Sequence, residues 1–214
     1  MYNPNLIFIV VFAALFFAIV FLDHLKDYKG ILRDDSTEIK KPYSWARVQI
    51  AWWTIIVLSS FITIMISKNV IPTLDQSTII LLAISAGTLA SGRLVDQSSK
   101  KDDTLNEVNV VNSQKGKNLF VDILSDAGGI NIHRFQTVVF NLAFGIYFIS
   151  VVINNLNICP RVPSISDCDT LAKLTAHSIK ESYNLIMPKI SQNNLILLGL
   201  SSATYAALKT TENK

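Results

Sequence analysis

The chain has 214 residues, of which 50% are hydrophobic and only 16% are charged. A soluble domain carries about 25% charged residues. Here the apolar residues fall in blocks and the charged residues lie between the blocks. This pattern argues against a water-soluble globular chain and is typical of a protein whose apolar surface contacts lipid. The net charge of +3 is too small to indicate a nucleic-acid partner.

Five apolar runs predict an all-α integral membrane protein with five transmembrane helices. The runs are Leu6 to Leu22, about Val48 to Ser67, about Thr78 to Leu94, about Phe135 to Ile153 and about Leu195 to Leu208. Because roughly 20 helical residues cross a hydrocarbon core of about 30 Å, the third and fifth runs are short. The fifth run also fits a buried helix of a compact bundle.

The first run is interpreted as a retained anchor. No Lys or Arg precedes it, and Asp23 and His24 follow it instead of a small-residue cleavage site. Both features oppose a secretory signal peptide.

The Lys and Arg residues predict the orientation in the membrane. They concentrate in the segment between the first and second runs and in the segment between the third and fourth, whereas the amino-terminal segment before the first run has none. The positive-inside rule therefore places the amino terminus outside and the carboxyl terminus in the cytoplasm.

Both cysteines lie between the fourth and fifth runs, on the side that the charges place outside. Cys159 and Cys168 are separated by a segment that contains Pro160 and Pro163. An oxidising compartment favours a disulfide between them, and two unrelated thiols are the alternative. No nearby His completes a ligand set, so the sequence predicts no metal site.

Short matching motifs predict an internal duplication of one helical hairpin. Arg47 and Gln49 at the start of the second run match Arg134 and Gln136 at the start of the fourth. Ser44 and Asn131 precede them as N-cap residues. Ser85 and Thr88 in the third run match Ser201 and Thr204 in the fifth. Equivalent helices are two spans apart, so the repeats are parallel.

The duplication divides the chain into four parts. The parts are an amino-terminal transmembrane anchor (1–22), a cytoplasmic loop with the first hairpin (23–95), a flexible cytoplasmic linker (96–117) and the second hairpin (118–214), which carries an inserted extracytoplasmic loop (156–193).

Small and hydroxyl residues recur along the third and fifth runs. Small residues four positions apart lie on one helical face and let two backbones approach closely. The first interpretation is tight helix packing within the chain, and the second is a narrow water-filled path lined by small and hydroxyl groups. The candidate residues for either role are Ser85, Gly87, Thr88, Ser201, Ala203 and Thr204.

Ionisable residues are confined to the ends of the runs. We expect Arg47 and Arg134, at the cytoplasmic ends, to bind aspartates of the preceding loops, namely Asp34, Asp35, Asp122 or Asp126. Asn141 is the main intramembrane amide, and such an amide commonly bonds a neighbouring helix. A coupled pump normally needs ionisable groups at this depth, so their absence argues against one.

The sequence contains no catalytic constellation. The three histidines are dispersed among three loops, and no Ser or Cys lies in a nucleophile motif. We therefore predict that the chain is not an enzyme and needs no cofactor.

The two hairpin motifs resemble those of uncharacterised bacterial multi-pass inner-membrane proteins. The resemblance rests on Arg47-Val48-Gln49 with Ile84-Ser85-Ala86-Gly87-Thr88, and on His133-Arg134-Phe135-Gln136 with Leu200-Ser201-Ser202-Ala203-Thr204. It implies a location in the bacterial plasma membrane and no established activity or functional residue.

Three functions fit these observations. The first is a homo-oligomeric ion channel or pore in the lipid bilayer, lined by small and hydroxyl residues. The second is a non-conducting scaffold or signalling subunit that binds a protein partner through its cytoplasmic loops. The third is a secondary carrier of a small neutral solute. The absence of buried charge and the parallel repeat place the channel first.

Overall fold

The chain forms a helical bundle. The structure is a computed structural model that describes residues 3–25, 30–34, 40–102, 116–126, 129–158 and 186–212. Its helices are α1 (Pro4–His24), α2 (Trp45–Lys68), α3 (Gln76–Asp102), α4 (Leu119–Leu124), α5 (Ile132–Ile158) and α6 (Gln192–Glu212). In these residues the only strands are β1 (Ser125–Asp126) and β2 (Gly129–Ile130), which pair in antiparallel fashion. The prediction of an all-α fold is confirmed.

Four helices have the length and composition needed to cross a membrane. They are α1, α2, α5 and the first part of α3, Gln76–Leu94. The fifth predicted span corresponds to α6, which has 21 residues but is not among these four within the described chain. The reason is composition, since α6 begins with Gln192-Asn193-Asn194 and ends with charged residues.

The helix boundaries follow from local capping chemistry. At α1, the Asn3 side chain accepts a hydrogen bond from the Asn5 amide, and Pro4 occupies the first turn. At α5, the Asn131 side chain accepts from the His133 amide at 2.8 Å, as its predicted N-cap role requires. Ser44 occupies the N-cap position of α2 without a side-chain hydrogen bond. α2 ends where Asn69 adopts a left-handed conformation (φ 56°).

Four of the five long helices form a ring, and α1 lies outside it. α2 contacts α3, α3 contacts α6, α6 contacts α5, and α5 contacts α2. α1 packs against α2 and α5 from outside. Only 6% of the apolar window of α1 is buried. Most of α1 is therefore left to face lipid if the bundle is inserted in a membrane.

The bundle has two distinct ends. At the basic end, which carries Arg47, Arg93 and Arg134, a small apolar cluster includes Trp45, Ile123 and Tyr205. At the opposite end, which carries Lys68, Asp75 and Lys189, α3 and α5 form hydrogen bonds with the segment before α6. A larger apolar core fills the bundle towards this opposite end, with Trp53, Phe148, Val152, Leu156, Ile186 and Leu198 among its members.

The buried residues of the two hairpins do not occupy equivalent positions of the predicted repeat. Gln49 is buried, whereas its predicted equivalent Gln136 is exposed. The inward positions Gln49 and Trp53 of α2 correspond instead to Thr137 and Asn141 of α5, each 88 residues later, whereas Arg134 follows Arg47 by 87. One residue turns a helix by about 100°. The matching motifs therefore face different directions, and the duplication stays a prediction.

Candidate functional site

A network of buried polar side chains joins three helices in the half of the bundle nearer the basic end. Its centre is Asn141 on α5, which is 1% exposed. The Asn141 Oδ1 atom accepts a hydrogen bond from the Trp53 indole Nε1 at 2.8 Å, and its Nδ2 donates to the Thr137 carbonyl at 2.8 Å. Because both Trp53 and Asn141 are buried, the bond has no water to replace it. Asn141 thus bonds a neighbouring helix, as its sequence position led us to expect.

Two further contacts connect α6 to the network. Gln49 of α2 donates from Nε2 to the Ser202 hydroxyl at 3.1 Å, and both side chains are buried. The Ser201 hydroxyl donates to the Thr137 hydroxyl of α5 at 2.8 Å. The Thr137 hydroxyl in turn donates a hydrogen bond to the His133 carbonyl. We name this set the polar network; its members are Gln49, Trp53, Thr137, Asn141, Ser201 and Ser202.

Most of the predicted hydroxyl residues bond within their own helix. Ser85 and Thr88 are buried in α3, but they donate to carbonyls one turn back. Thr204 does the same in α6. Such back-bonding satisfies the hydroxyl without a partner helix. Among the predicted hydroxyls, Ser201 is the one for which the structure shows a side-chain bond to another helix.

The two small candidate residues lie on the outer surface. Gly87 and Ala203 are both exposed. A Cβ atom built on Gly87 would meet no atom within 4 Å. The interpretation that these residues pack helices tightly within the chain is therefore wrong for this pair. Close helix packing occurs instead at Gly145 of α5, where an added Cβ would lie 2.5 Å from the Trp52 indole nitrogen.

Beyond Asn141, the inward face of α5 is apolar. Phe148, Val152 and Leu156 follow at helical spacing and are all fully buried. The Phe148 ring packs edge to face on Trp53, with ring centroids 6.4 Å apart. Ser59 and Ser60 of α2 are buried at this depth, but their hydroxyls donate to carbonyls of their own helix. The polar network therefore does not continue along α5 to the opposite end in the described residues.

A buried ion pair fastens the end of α1 at the basic end. The Arg33 guanidinium donates to the Tyr43 hydroxyl and to the Lys41 carbonyl, each at 2.8 Å, and its Nε lies 3.7 Å from Asp23. The Tyr43 hydroxyl donates in turn to Asp23 at 3.3 Å. Burial raises the pKa of Tyr43 above its ordinary value. The Arg33 charge lowers this pKa, and the Asp23 carboxylate raises it further. Tyr43 therefore remains a proton donor. Gly30 packs against Asp23 so closely that no side chain fits there.

Asp122, a predicted partner of the motif arginines, binds backbone amides. Its two oxygens accept from the Tyr43 amide at 3.2 Å and from the Lys117 amide at 2.9 Å, which holds α4 beside the start of α2. The Arg134 guanidinium lies 5.2 Å from the centre of the Tyr205 ring. This cation–π contact joins α5 to α6. The proposed Arg–Asp contacts of Arg47 and Arg134 stay predictions, and Asp35 lies outside the described residues.

At the opposite end, an aspartate and a serine connect α3 to the segment before α6. Asp75 accepts from the Ser77 hydroxyl at 2.6 Å and from the Ser77 amide at 3.0 Å. The Ser77 oxygen accepts from the Ile190 amide at 3.1 Å. The buried Lys68 ammonium donates to the Leu156 carbonyl at 2.8 Å, near the end of α5. A cation at this position also complements the helix dipole.

These bonds make the stability of the opposite end depend on pH. The hydroxyl and amide of Ser77 lower the pKa of Asp75. A lowered pKa in the folded state stabilises the protein above the unfolded pKa of about 3.9, and this contribution is lost as the pH falls through the folded value.

We expect Ser77→Ala to raise the pKa of Asp75 and to reduce the loss of stability between pH 5 and pH 3. NMR titration of the carboxyl and unfolding at both pH values measure this. Ser150→Ala is the control, and an unchanged Asp75 pKa in Ser77→Ala would contradict the prediction.

Several predicted features fall on parts of the chain that are not described. Cys159 and Cys168 lie outside the described residues, as do most of the linker (96–117) and most of the inserted loop (156–193). Within the described residues, no group of three or more His, Cys, Asp or Glu side chains is placed to hold a metal ion.

Comparison of the sequence with protein-family models, with curated proteins and with solved structures finds no match. The resemblance to bacterial inner-membrane proteins therefore stays a prediction.

Proposed function

We propose that the chain is a non-conducting membrane subunit, a scaffold that assembles with further copies of itself through α3 and α6. The observation that supports this best is that polar side chains lie inside the bundle and small side chains lie on its outer surface. The side chains of the polar network bond one another inside the bundle, and the buried Ser85 and Thr88 hydroxyls bond their own helix, whereas the small residues named below face outward. A conducting path needs polar groups that are open to water, and a scaffold needs a face that another helix can approach.

The outward face consists of small side chains on two adjacent helices. We name it the small-residue face; its members are Ala83, Ala86, Gly87 and Ala90 of α3 and Ala203 of α6, all exposed. Gly199, one turn before Ala203, approaches Ile84 of α3, with 3.6 Å from its built Cβ to the Ile84 Cδ1. α3 and α6 are therefore in contact beside this face. In lipid, helix association depends on close backbone approach at such residues.

The basic residues predict which end of the bundle faces the cytoplasm. Arg47, Arg93 and Arg134 lie at the basic end, so the positive-inside rule places that end in the cytoplasm. The bacterial plasma membrane is the location that the sequence resemblance implies. In this arrangement the clasp of Asp23, Arg33 and Tyr43 lies at the cytoplasmic surface, where a protein partner of the loops would bind.

A homo-oligomeric channel is the second candidate. The observation in its favour is the polar network, which places an amide and several hydroxyls near the bundle axis. Against it, Trp53, which bonds Asn141, and Phe148, which packs on Trp53, are both fully buried. Conduction would require their side chains to move apart.

Gly87→Leu tests the scaffold. We expect the wild-type chain in nanodiscs to form an oligomer and to pass no ions after reconstitution. The Gly87→Leu variant should become monomeric without loss of thermal stability, because the site has no intrachain neighbour to displace and leucine favours a helix more than glycine does. Oligomeric mass and liposome ion flux are the measurements.

Ala143→Leu is the matched control, since Ala143 is an exposed small residue on α5. It should keep the wild-type oligomer. Ion flux through the wild-type protein would favour the channel instead. An oligomer that survives Gly87→Leu, or a wild-type monomer, would show that the small-residue face does not hold the assembly together.

A further inference from the structure

Three large apolar side chains at the basic end are among the most exposed in the described part of the chain. Phe120 of α4 is 73% exposed, Ile130 of β2 is 75% exposed, and Ile132 at the start of α5 is 69% exposed. α4 contacts α5, and the Asn131 amide donates to the Leu124 carbonyl at 2.9 Å, so the three elements form one unit. We name these three side chains the apolar patch.

The unit that carries the apolar patch is fastened to the bundle. Ile123 of α4 is 4% exposed and belongs to the same small apolar cluster as Trp45, the first residue of α2. Asp122 accepts a hydrogen bond from the Tyr43 amide, just before that helix. Phe120 lies outside the cluster. An ordered surface that keeps large apolar groups exposed marks a contact with a membrane or with another protein.

The apolar patch joins a side of α5 that is suited to face lipid. The exposed large apolar residues of α5 follow one another at spacings of three and four, which places them within about 80° around the helix axis. They are Ile132, Phe135, Val139, Leu142 and Ile146. All belong to Ile132–Asn157, a segment suited to cross a membrane. Because Ile132 belongs to both surfaces, the apolar patch continues the lipid-facing side of α5 beyond the start of the helix.

The length of α5 places the apolar patch at the level of the lipid head groups. The segment Ile132–Asn157 has 26 residues, which rise about 39 Å. The hydrocarbon core is about 30 Å thick, and each head-group layer adds about 5 to 8 Å. The first turn of α5 therefore reaches into a head-group layer. An element at this depth places its apolar side chains at the boundary with the acyl chains and leaves its polar groups in water.

Lysines stand beside the apolar patch. Lys117 is exposed and precedes Phe120 by three residues. The Lys40 ammonium donates to the Lys117 carbonyl at 3.0 Å, which brings a second lysine to the start of α4. The α4 carboxylate, Asp122, accepts from two backbone amides. Cations next to an apolar surface complement anionic phospholipids, which the cytoplasmic leaflet carries.

We propose that the apolar patch inserts into the head-group layer of the cytoplasmic leaflet and anchors α4 and the β1–β2 turn to anionic phospholipids. Its three side chains reach the acyl boundary, and Lys40 and Lys117 bind lipid phosphates. The inference rests on insertion of the bundle in a membrane with the basic end in the cytoplasm. It does not depend on self-assembly, because the small-residue face lies on α3 and α6.

The accessibility of a spin label tests the insertion. Phe120→Cys is labelled in the full chain, in a Cys159→Ser/Cys168→Ser background, and reconstituted into liposomes of phosphatidylcholine and phosphatidylglycerol. Oxygen dissolves in lipid, whereas a nickel chelate stays in water. We expect the ratio of oxygen to nickel collision rates to be at least threefold higher than for Asn118→Cys. This control position is exposed, and its native side chain forms no cap hydrogen bond.

Ile130→Cys supplies a second label position on β2, and we expect the same high ratio there. If Phe120→Cys does not fold, this variant carries the test. Ratios at the patch positions equal to the ratio at position 118 would show that the apolar patch stands in water and would overturn the proposal.

Dilution separates lipid from a second copy of the chain as the cover of the apolar patch. A large excess of lipid moves copies apart whatever surface holds them together. We expect the label at position 120 to stay shielded from the nickel chelate on dilution, both in the wild-type background and with Gly87→Leu. Shielding that disappears on dilution would mean that a second copy covers the apolar patch, which overturns the proposal. The oligomeric mass of Gly87→Leu reports on the small-residue face separately.

The class of lipid has its own arm. Replacement of phosphatidylglycerol by phosphatidylcholine should lower the collision ratio at position 120 at least twofold. Lys117→Gln should reduce this dependence on the lipid, since it removes a cation while the backbone bonds of residue 117 remain. An identical ratio in both lipid mixtures would overturn the assignment to anionic phospholipids.

Discussion

Gly145→Ala is expected to destabilise the bundle although alanine favours helices. An added Cβ atom at this position would lie 2.5 Å from the Trp52 indole nitrogen, and no real side chain tolerates that distance. The indole cannot swing away freely, since it donates to the Asn141 carbonyl at 3.2 Å. Overpacking of this kind costs about 1 to 3 kcal/mol. The gain in helix propensity of about 1 kcal/mol does not offset the upper part of that range.

Gly87→Ala is the matched control for this substitution. The same added methyl group on α3 meets no atom within 4 Å, so only the helix propensity changes. We expect the two variants to move the free energy of unfolding in opposite directions when both are titrated with a denaturing detergent in the same micelles. A stability of Gly145→Ala equal to or above that of the wild type would show that α2 and α5 are not in close contact at Trp52.

The contrast between these two glycines shows where sequence reasoning stops. The recurrence of small residues at a spacing of four marks Gly87 as a packing candidate. Gly145 stands alone between Phe144 and Ile146, so no pattern marks it. Spacing identifies a helix face, but it does not tell which helix covers that face. That depends on how all five long helices pack together.

The helices themselves were predictable because lipid requires long apolar runs and caps mark their ends. The Asp23–Arg33–Tyr43 clasp was not, although Asp23 stands directly after an apolar run and Arg33 follows ten residues later. Its partners meet only because the loop between α1 and α2 folds back on itself, where Arg33 and Tyr43 form a β-bridge. No periodicity encodes such a loop, and the sequence alone does not predict this ion pair.

The register of the hairpins was missed for a related physical reason. The paired motifs share only their Arg and Gln residues, and the two copies have different neighbours, since α1 packs more extensively on α2 than on α5. Gln49 is then buried against Ser202, and Gln136 stays exposed. Ser202 was overlooked because its neighbours Ser201 and Thr204 matched the repeat better. A search for buried polar positions every three or four residues along α6 would have found it.

The second large effect is expected at the Trp53–Asn141 hydrogen bond. Asn141→Leu keeps the approximate volume of the side chain but leaves the fully buried Trp53 N–H without its acceptor. A buried donor without a partner costs about 1 to 3 kcal/mol. We expect the free energy of unfolding to fall by that amount, and Trp53→Phe to be destabilising as well, because it leaves the buried Asn141 Oδ1 without its donor and opens a cavity.

The double variant separates this bond from packing changes. If the bond is real, Trp53→Phe combined with Asn141→Leu loses less stability than the sum of the single variants, and the coupling is about 0.6 to 1.7 kcal/mol, the range measured within membranes. Asn157→Leu is the control, since that amide is exposed and bonds only within α5 in the structure. Strict additivity of the two single variants would mean that the Asn141 side chain is not bonded to Trp53. The polar network would then lose its centre, and the case that the bundle interior is closed would rest on apolar packing alone.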